Sequence, residues 1–174
     1  MEIVAAYPGD AQALRDLHVA AWEIAYRDRV PDVLYRKWLG EHRMRDWSDV
    51  LRRHTADGGE VLTARYEGHI AGFCQYGPTE DDDDDPTQVG LIRRLYVAPD
   101  RQRMGIGRAL VIESLDRLRQ RGMSVMTVHS LEKNQPARAL YESLGFKLDG
   151  KRTEYPISDE DVDPAADIRY RLPL

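Results

Sequence analysis

Cysteine is almost absent from this 174-residue chain, with Cys74 standing alone. A single thiol excludes an intramolecular disulfide framework and a thiolate metal cage. The chain therefore has to fold on its core, and a reducing, cytoplasmic setting is expected. Long apolar runs are missing as well. No window approaches the roughly 18 residues a membrane span needs. Met1-Glu2-Ile3-Val4-Ala5-Ala6 lacks the basic-then-apolar order of an export signal, so neither export nor a membrane is expected. Positive charge is in deficit, with 25 Lys and Arg against 30 Asp and Glu and a net charge of −5. That argues against general binding to a nucleic-acid backbone. The acidic excess is compatible with a cationic acceptor, but it is also the ordinary balance of a soluble protein.

What is present suffices for one domain spanning residues 1–174. Hydrophobic residues make up 42% and charged residues 32%, too apolar for disorder along most of the length. A domain near this size buries about two-thirds of the surface its unfolded chain exposes. Glu2 to Ala6 reads as a strand ended by Pro8-Gly9-Asp10. Leu14, Leu17, His18, Ala21 and Ile24 then recur at helical spacing. Pro31 and Asp32 open a second helical stretch carrying Leu34/Trp38 and Trp47/Leu51 pairs, with an interruption expected near Gly40. Val61 to Tyr66 and Ile70 to Tyr76 flank Glu67-Gly68-His69 as a hairpin. Asp81 to Asp85 is a self-repelling run, expected as a mobile loop.

Val89 to Val97 then reads as a strand, Gly105 to Arg121 as a helix and Ser124 to His129 as a strand. A helix capped by Asn134 and ended by Gly145 follows. Phe146 to Leu148 and Ile168 to Leu172 close the pattern as strands, with Asp149 to Asp167 polar between them. The order predicts an α/β fold with helices on both faces of a mixed sheet.

The segment from Leu95 to Leu110 carries the chemistry. A strand turns tightly into a helix through Gln102-Arg103-Met104-Gly105-Ile106-Gly107-Arg108. Glycines at 105 and 107 let backbone N–H groups converge on an anion at the positive end of the helix. Arg101, Arg103 and Arg108 add charge. Gly-Lys followed by Ser or Thr is absent, so this is not a P-loop, and the third glycine of the dinucleotide fingerprint is missing.

Gln102 to Gly107 resembles the cofactor signature of the GNAT superfamily, the Gcn5-related N-acetyltransferases: Gln or Arg, two residues, Gly, any residue, then Gly or Ala. Leu95-Tyr96-Val97 before Ala98-Pro99 resembles the family's fourth strand. Asn134 through Ala139-Leu140-Tyr141-Glu142-Ser143-Leu144-Gly145-Phe146 resembles its closing motif. The resemblance is strong from Val89 to Phe146. It implies a mostly antiparallel sheet whose strands splay at an acetyl-CoA cleft, with acetyl-CoA as cosubstrate and no metal.

It further implies that backbone groups of Leu95, Tyr96 and Val97 hold the pantetheine arm. Main-chain N–H groups of Arg103, Met104, Gly105, Ile106, Gly107 and Arg108, after Gln102, would take the pyrophosphate. Asn134 is either a pantetheine contact or simply a helix cap. The Val97 N–H would stabilise the developing oxyanion, and Tyr141 would protonate the departing sulfur; packing in the core is the competing account of Tyr141.

The base stays open, because the strand from Val89 to Val97 holds no carboxylate where many family members carry Glu. A water chain, Glu23 and His129 are the alternatives. Trp22 and Tyr26, at i,i+4, are candidates for an aromatic wall at the acceptor site, with core packing the competing account of Trp22. Tyr155 and Asp159-Glu160-Asp161 either close over the cleft or stay solvated.

The expected acceptor is a primary amine on a small molecule or peptide. A non-catalytic acyl-CoA-binding module is the alternative, and homodimers are common in the family.

Overall fold

The computed structural model describes residues 1–155 and 164–174. β1 (Glu2–Ala5) is followed by a turn of 3-10 helix at Pro8–Asp10 and by α1 (Ala11–Tyr26). Leu14, Leu17, His18, Ala21 and Trp22 form the buried face of α1, the 3–4 spacing that one side of a helix allows. The second helical stretch is two helices, α2 (Asp32–Arg43) and α3 (Trp47–Ala56). Their break falls after Arg43 rather than near Gly40, which lies inside α2. The stronger stop is Asp46, whose carboxylate accepts the backbone N–H groups of Ser48 (2.9 Å) and Asp49 (3.2 Å) and so starts α3.

β2 (Glu60–Tyr66) and β3 (His69–Pro78) form the expected hairpin. β4 (Val89–Val97), a 3-10 turn at Pro99–Arg101, α4 (Ile106–Gln120), β5 (Val125–Leu131) and α5 (Gln135–Ser143) follow in the expected order. β6 (Lys147–Tyr155) and β7 (Ala165–Pro173) are both longer than their apolar stretches suggested. β6 is an edge strand, mostly exposed, and its register shifts between Leu148 and Arg152 around Gly150 (φ 93°). A polar edge strand carries no alternation to read.

The seven strands run β1-β2-β3-β4-β5-β7-β6, antiparallel except for β4 with β5. Side chains alternate across the sheet. Val61 and Phe73 pack with Leu14, Ala21 and Trp47 of α1 and α3. Leu62 and Cys74 turn to the other face and meet Leu110, Leu115 and Leu118 of α4. The sheet is thus covered on both faces, as the sequence predicted. No helix among the described residues is long and apolar enough to cross a membrane.

Candidate functional site

One parallel pair fixes where the sheet opens. β4 and β5 stay in register from Val89 with Val125 to Ile92 with Val128, and the ladder stops there. At the same point β4 is bulged: Ile92 pairs with Tyr76 and Arg94 with Gln75, which leaves Arg93 as the extra residue. A bulge bends and twists its strand. From Arg93 onward β4 follows β3 as far as Gly72 with Val97, while β5 follows β7 as far as Leu131 with Asp167. The gap between them is a cleft of about 550 Å³.

The backbone of β4 faces this gap. The Ala98 N–H donates to the Ala71 carbonyl on the β3 side at 2.8 Å. Successive N–H groups of a strand point to opposite edges, so the Val97 N–H, and with it that of Leu95, points toward the cleft. Beyond the strand end, Gly105 adopts φ 80° as the first cap of α4, a conformation that costs glycine nothing. No side chain caps this terminus, and the first bond back within the helix is Ala109 N–H to Gly105 O at 3.0 Å. The N–H groups of Ile106, Gly107 and Arg108 are left at the positive end of the helix dipole. A Cβ on Gly107 would lie 3.5 Å from Leu140 and 3.6 Å from Val97, so the turn packs closely against α5 and β4. Gln102, Arg103 and Arg108 line the cleft around it, whereas the Met104 side chain is 52% exposed and is not part of the wall.

Asn134 is a helix cap that also stands at the cleft. Its side chain accepts the Ala137 N–H at 3.5 Å as the cap of α5, and it lines the cleft. Tyr141 also lines the cleft while lying against the main core beside Phe146 and Tyr170. Burial, with the Cys74 thiol next in weight, pushes its hydroxyl above the usual tyrosine range, which keeps it protonated. Across the gap, the hydroxyls of Tyr26 and Tyr96 are hydrogen-bonded to each other, and burial raises both. Three phenols therefore border one end of the cleft.

The aspartate run, expected as a mobile loop, is engaged in the fold. Arg169, with a side chain only 6% exposed, donates to Asp81, Asp83, Asp84 and Asp149 at 2.6 to 3.1 Å. Arg171 adds Asp84 at 2.6 Å, and Lys151 adds Asp83 at 2.6 Å and Asp81 at 3.3 Å. Like charges that would repel in isolation are neutralised by two arginines on one face of β7. The signal was present in Arg169-Tyr170-Arg171, since alternate residues of a strand share a face. Carboxylate oxygens of Asp81, Asp83 and Asp84 lie within 4.8 Å of one another, and the Arg169 guanidinium already holds that position.

His129 stands between this cluster and the cleft. It lines the opening, and its Nε2 is 2.9 Å from Asp81 Oδ2. Burial works to raise Asp81, yet hydrogen bonds from His129, Arg169 and Lys151 hold the carboxyl below the usual range. Asp81 thus stays ionised behind the imidazole. Glu23, the other named candidate for the base, is ion-paired with Arg43 at 2.5 Å and does not line the cleft. Trp22, weighed for the acceptor wall, is 2% exposed and lies behind Tyr26, its ring stacked at 4.8 Å. Tyr26 lines the cleft. Tyr155 donates to Asp167 at 2.5 Å and packs on Trp38, and Asp159-Glu160-Asp161 lies outside the described residues.

Residues 11–146 match the model of the acetyltransferase (GNAT) family. A mycothiol acetyltransferase of Thermobifida fusca is 39% identical over 95 residues, covering 53% of this chain and 29% of that protein. The [ribosomal protein bS18]-alanine N-acetyltransferase of Escherichia coli K12 is 44% identical over 78 residues, 42% of this chain and 53% of that protein. The chain thus spans under a third of the mycothiol acetyltransferase and about half of the bS18 enzyme. Its fold is that of the PaiA N-acetyltransferase of Thermoplasma acidophilum, solved in complex with coenzyme A, with a TM-score of 0.78, 16% identity and coverage of 99% and 98% of the two chains.

Proposed function

The chain belongs to the acetyltransferase (GNAT) family, and on that premise we propose that it moves the acetyl group of acetyl-CoA to a primary amine in the cleft between β4 and β5. The observation that carries this reading is a convergence. The uncapped N-terminus of α4, the inward-facing Val97 N–H and the Tyr141 side chain all border one opening. Each matches one requirement of acyl transfer: a seat for an anionic handle, a donor for the charge developing on the carbonyl oxygen, and an acid for the leaving group.

The residues fit the cosubstrate. The N–H groups of Ile106, Gly107 and Arg108, with Arg103, would hold its pyrophosphate. The strand edge from Leu95 to Val97 and the Asn134 amide would hold its pantetheine arm. Acetyl-CoA supplies an activated acetyl thioester. His129, held by Asp81, takes the proton from the acceptor ammonium, imidazole being the side chain most often used for such a transfer. The neutral nitrogen then bonds to the acetyl carbon as the carbon–sulfur bond breaks. Val97 N–H faces the oxygen, Tyr141 gives its proton to the departing sulfur, and the excess proton on the acetylated nitrogen restores the Tyr141 hydroxyl. Tyr26 and Tyr96 supply the polar edge of the acceptor side. A lone, fully buried thiol at Cys74, pushed up to about 12 by burial, fits the cytoplasmic setting expected from the sequence.

The test is release of CoA thiol from acetyl-CoA in the presence and absence of amines, with Tyr141→Phe beside the wild type. Amine-dependent release is expected, with kcat lower by about 100-fold or more in the variant and acetyl-CoA affinity unchanged. Acetyl-CoA binding without turnover for any amine would identify a binding module, and no binding at all would remove the reading.

A further inference from the structure

The charge in the cleft is one-sided. Among the described residues that line it there is no Asp or Glu, whereas Arg29, Arg93 and Arg94 border the end formed by α1 and β4. Arg94 lies three residues before Val97. At strand rise that is about 10 Å along β4 from the acetyl position, on the side away from Gly105 and the α4 terminus. It is therefore at the acceptor end, separate from the seat proposed for the pyrophosphate.

Arg94 is also unmatched. Its Nη1 donates to the uncharged Gln75 Oε1 at 2.5 Å, and among the described residues it makes no ion pair. Glu80, the nearby carboxylate, is taken by Arg93 Nε at 2.5 Å. Among the described residues, Arg93 has a second buried nitrogen, Nη1, without a partner. Behind Arg94 stand further cationic or basic groups. Among the described residues, Arg45 has a buried Nε with no partner, and His18 is fully buried with neither ring nitrogen bonded. Burial, with Arg45 next in weight, lowers the Arg94 guanidinium to about 10, and the weaker opposing pull of Glu80, which is ion-paired with Arg93, does not offset it. An arginine kept out of water without a counter-charge is costly unless an anion joins it, and a planar guanidinium is the side chain suited to carboxylate and phosphate.

We propose that the acceptor amine carries an anionic group, a carboxylate or a phosphate, that seats against Arg94 while its nitrogen faces the acetyl carbon. This rests on the transferase reading above and narrows it. Amino acids and phosphorylated amines are the class that fits. Polyamines and aminoglycosides bring positive charge to a wall already in excess of it.

The experiment pairs amines that differ by the anion alone. Thiol release from acetyl-CoA is measured with each common amino acid and its carboxamide, with O-phosphoethanolamine and ethanolamine, and with spermidine. The expected result is a preference in kcat/KM of about tenfold or more for the anionic member of a pair. The pair that shows it separates carboxylate from phosphate. In Arg94→Gln that preference should fall toward unity, and in Arg94→Lys it should be partly retained, with acetyl-CoA affinity unchanged in both.

Equal or better use of the carboxamides or spermidine by the wild type would overturn the proposal, and this comparison needs no variant to fold. Rejection of every anionic amine by a protein that binds acetyl-CoA would overturn it too, as would a preference that survives Arg94→Gln. Loss of acetyl-CoA binding in the wild type would fall on the transferase reading instead.

Discussion

Two arginines on the sheet stand in opposite electrostatic situations. Arg169 on β7 is nearly inaccessible and meets four aspartates, three from one run of the chain and Asp149 from β6. Arg94 on β4 meets the oxygen of an amide; Arg45 and Arg93 repel it, and the carboxylate that attracts it, Glu80, is ion-paired with Arg93 instead. A buried charge is tolerable when its partners are built into the fold, and it is a standing demand when they are not. The β7 wall is scaffold: it fixes the aspartate run and, through Asp81, the orientation of His129. The β4 wall carries no such pairing among the described residues, and the proposal is that the acceptor supplies it.

Removing the matched arginine should do the greater damage. Arg169→Met leaves Asp84 and Asp149, with side chains 8% and 15% exposed, short of their main counter-charge. Breaking such a network by deleting one partner costs about 3 kcal/mol, roughly a 10 °C fall in melting temperature for a chain of this size. Thermal unfolding at neutral pH measures it. A variant as stable as the wild type would mean that the aspartates relax into water without loss, and the two walls would no longer differ.

Acid should separate the walls next. Burial, then the neighbouring positive groups, lowers His18 to about 2 and His42 to about 4. Both imidazoles stay neutral in the fold while the unfolded chain takes up protons below about pH 6.5. Stability is therefore complete above that pH and is lost as pH falls from about 6.5 toward 4. For His18 alone the loss at pH 5 is about 2 kcal/mol. The groups facing it are His42, itself neutral above about pH 4, and the cationic Arg94 and Arg45, so none offsets the effect.

The aspartates behave differently. Asp81, Asp83 and Asp149 are held below the usual range, so their contribution is present above about pH 4 and is lost only as pH falls further. Melting curves from pH 7.5 to 5 should slope for the wild type and flatten in His18→Leu, which matches the ring in size and removes its proton site. An equal slope in the variant would place the acid sensitivity elsewhere.

Local chemistry explains which of these features the sequence disclosed. The turn from Val97 to Gly107 was legible because its conformation is written in the residues that form it, above all glycine at 105, where φ is positive. Asn134 and Tyr141 were legible for the same reason, being close in sequence to the helix they cap and line. The aspartate run was misjudged because its partners lie about 85 residues away on β7, and only folding brings them together. β6 was cut short because an exposed edge strand lacks alternation. That Arg94 makes no ion pair among the described residues was beyond reach for a related reason, since pairing is decided by carboxylates distant in sequence, as with Glu80 on Arg93.

The smallest effect bears most directly on that last point. Arg94→Met removes a half-buried charge that among the described residues has no ion-paired carboxylate to lose. The hydrogen bond to Gln75 disappears, at a cost of about 1 kcal/mol, and the repulsion from Arg45 and the desolvation of the guanidinium disappear with it. Stability without ligands should therefore stay within about 1 kcal/mol of the wild type, in contrast to Arg169→Met. Thermal unfolding of the two variants side by side measures the difference. A fall in Arg94→Met as large as that in Arg169→Met would show that Arg94 is held by a partner within the chain, and an anion from the acceptor would no longer be needed to explain the wall.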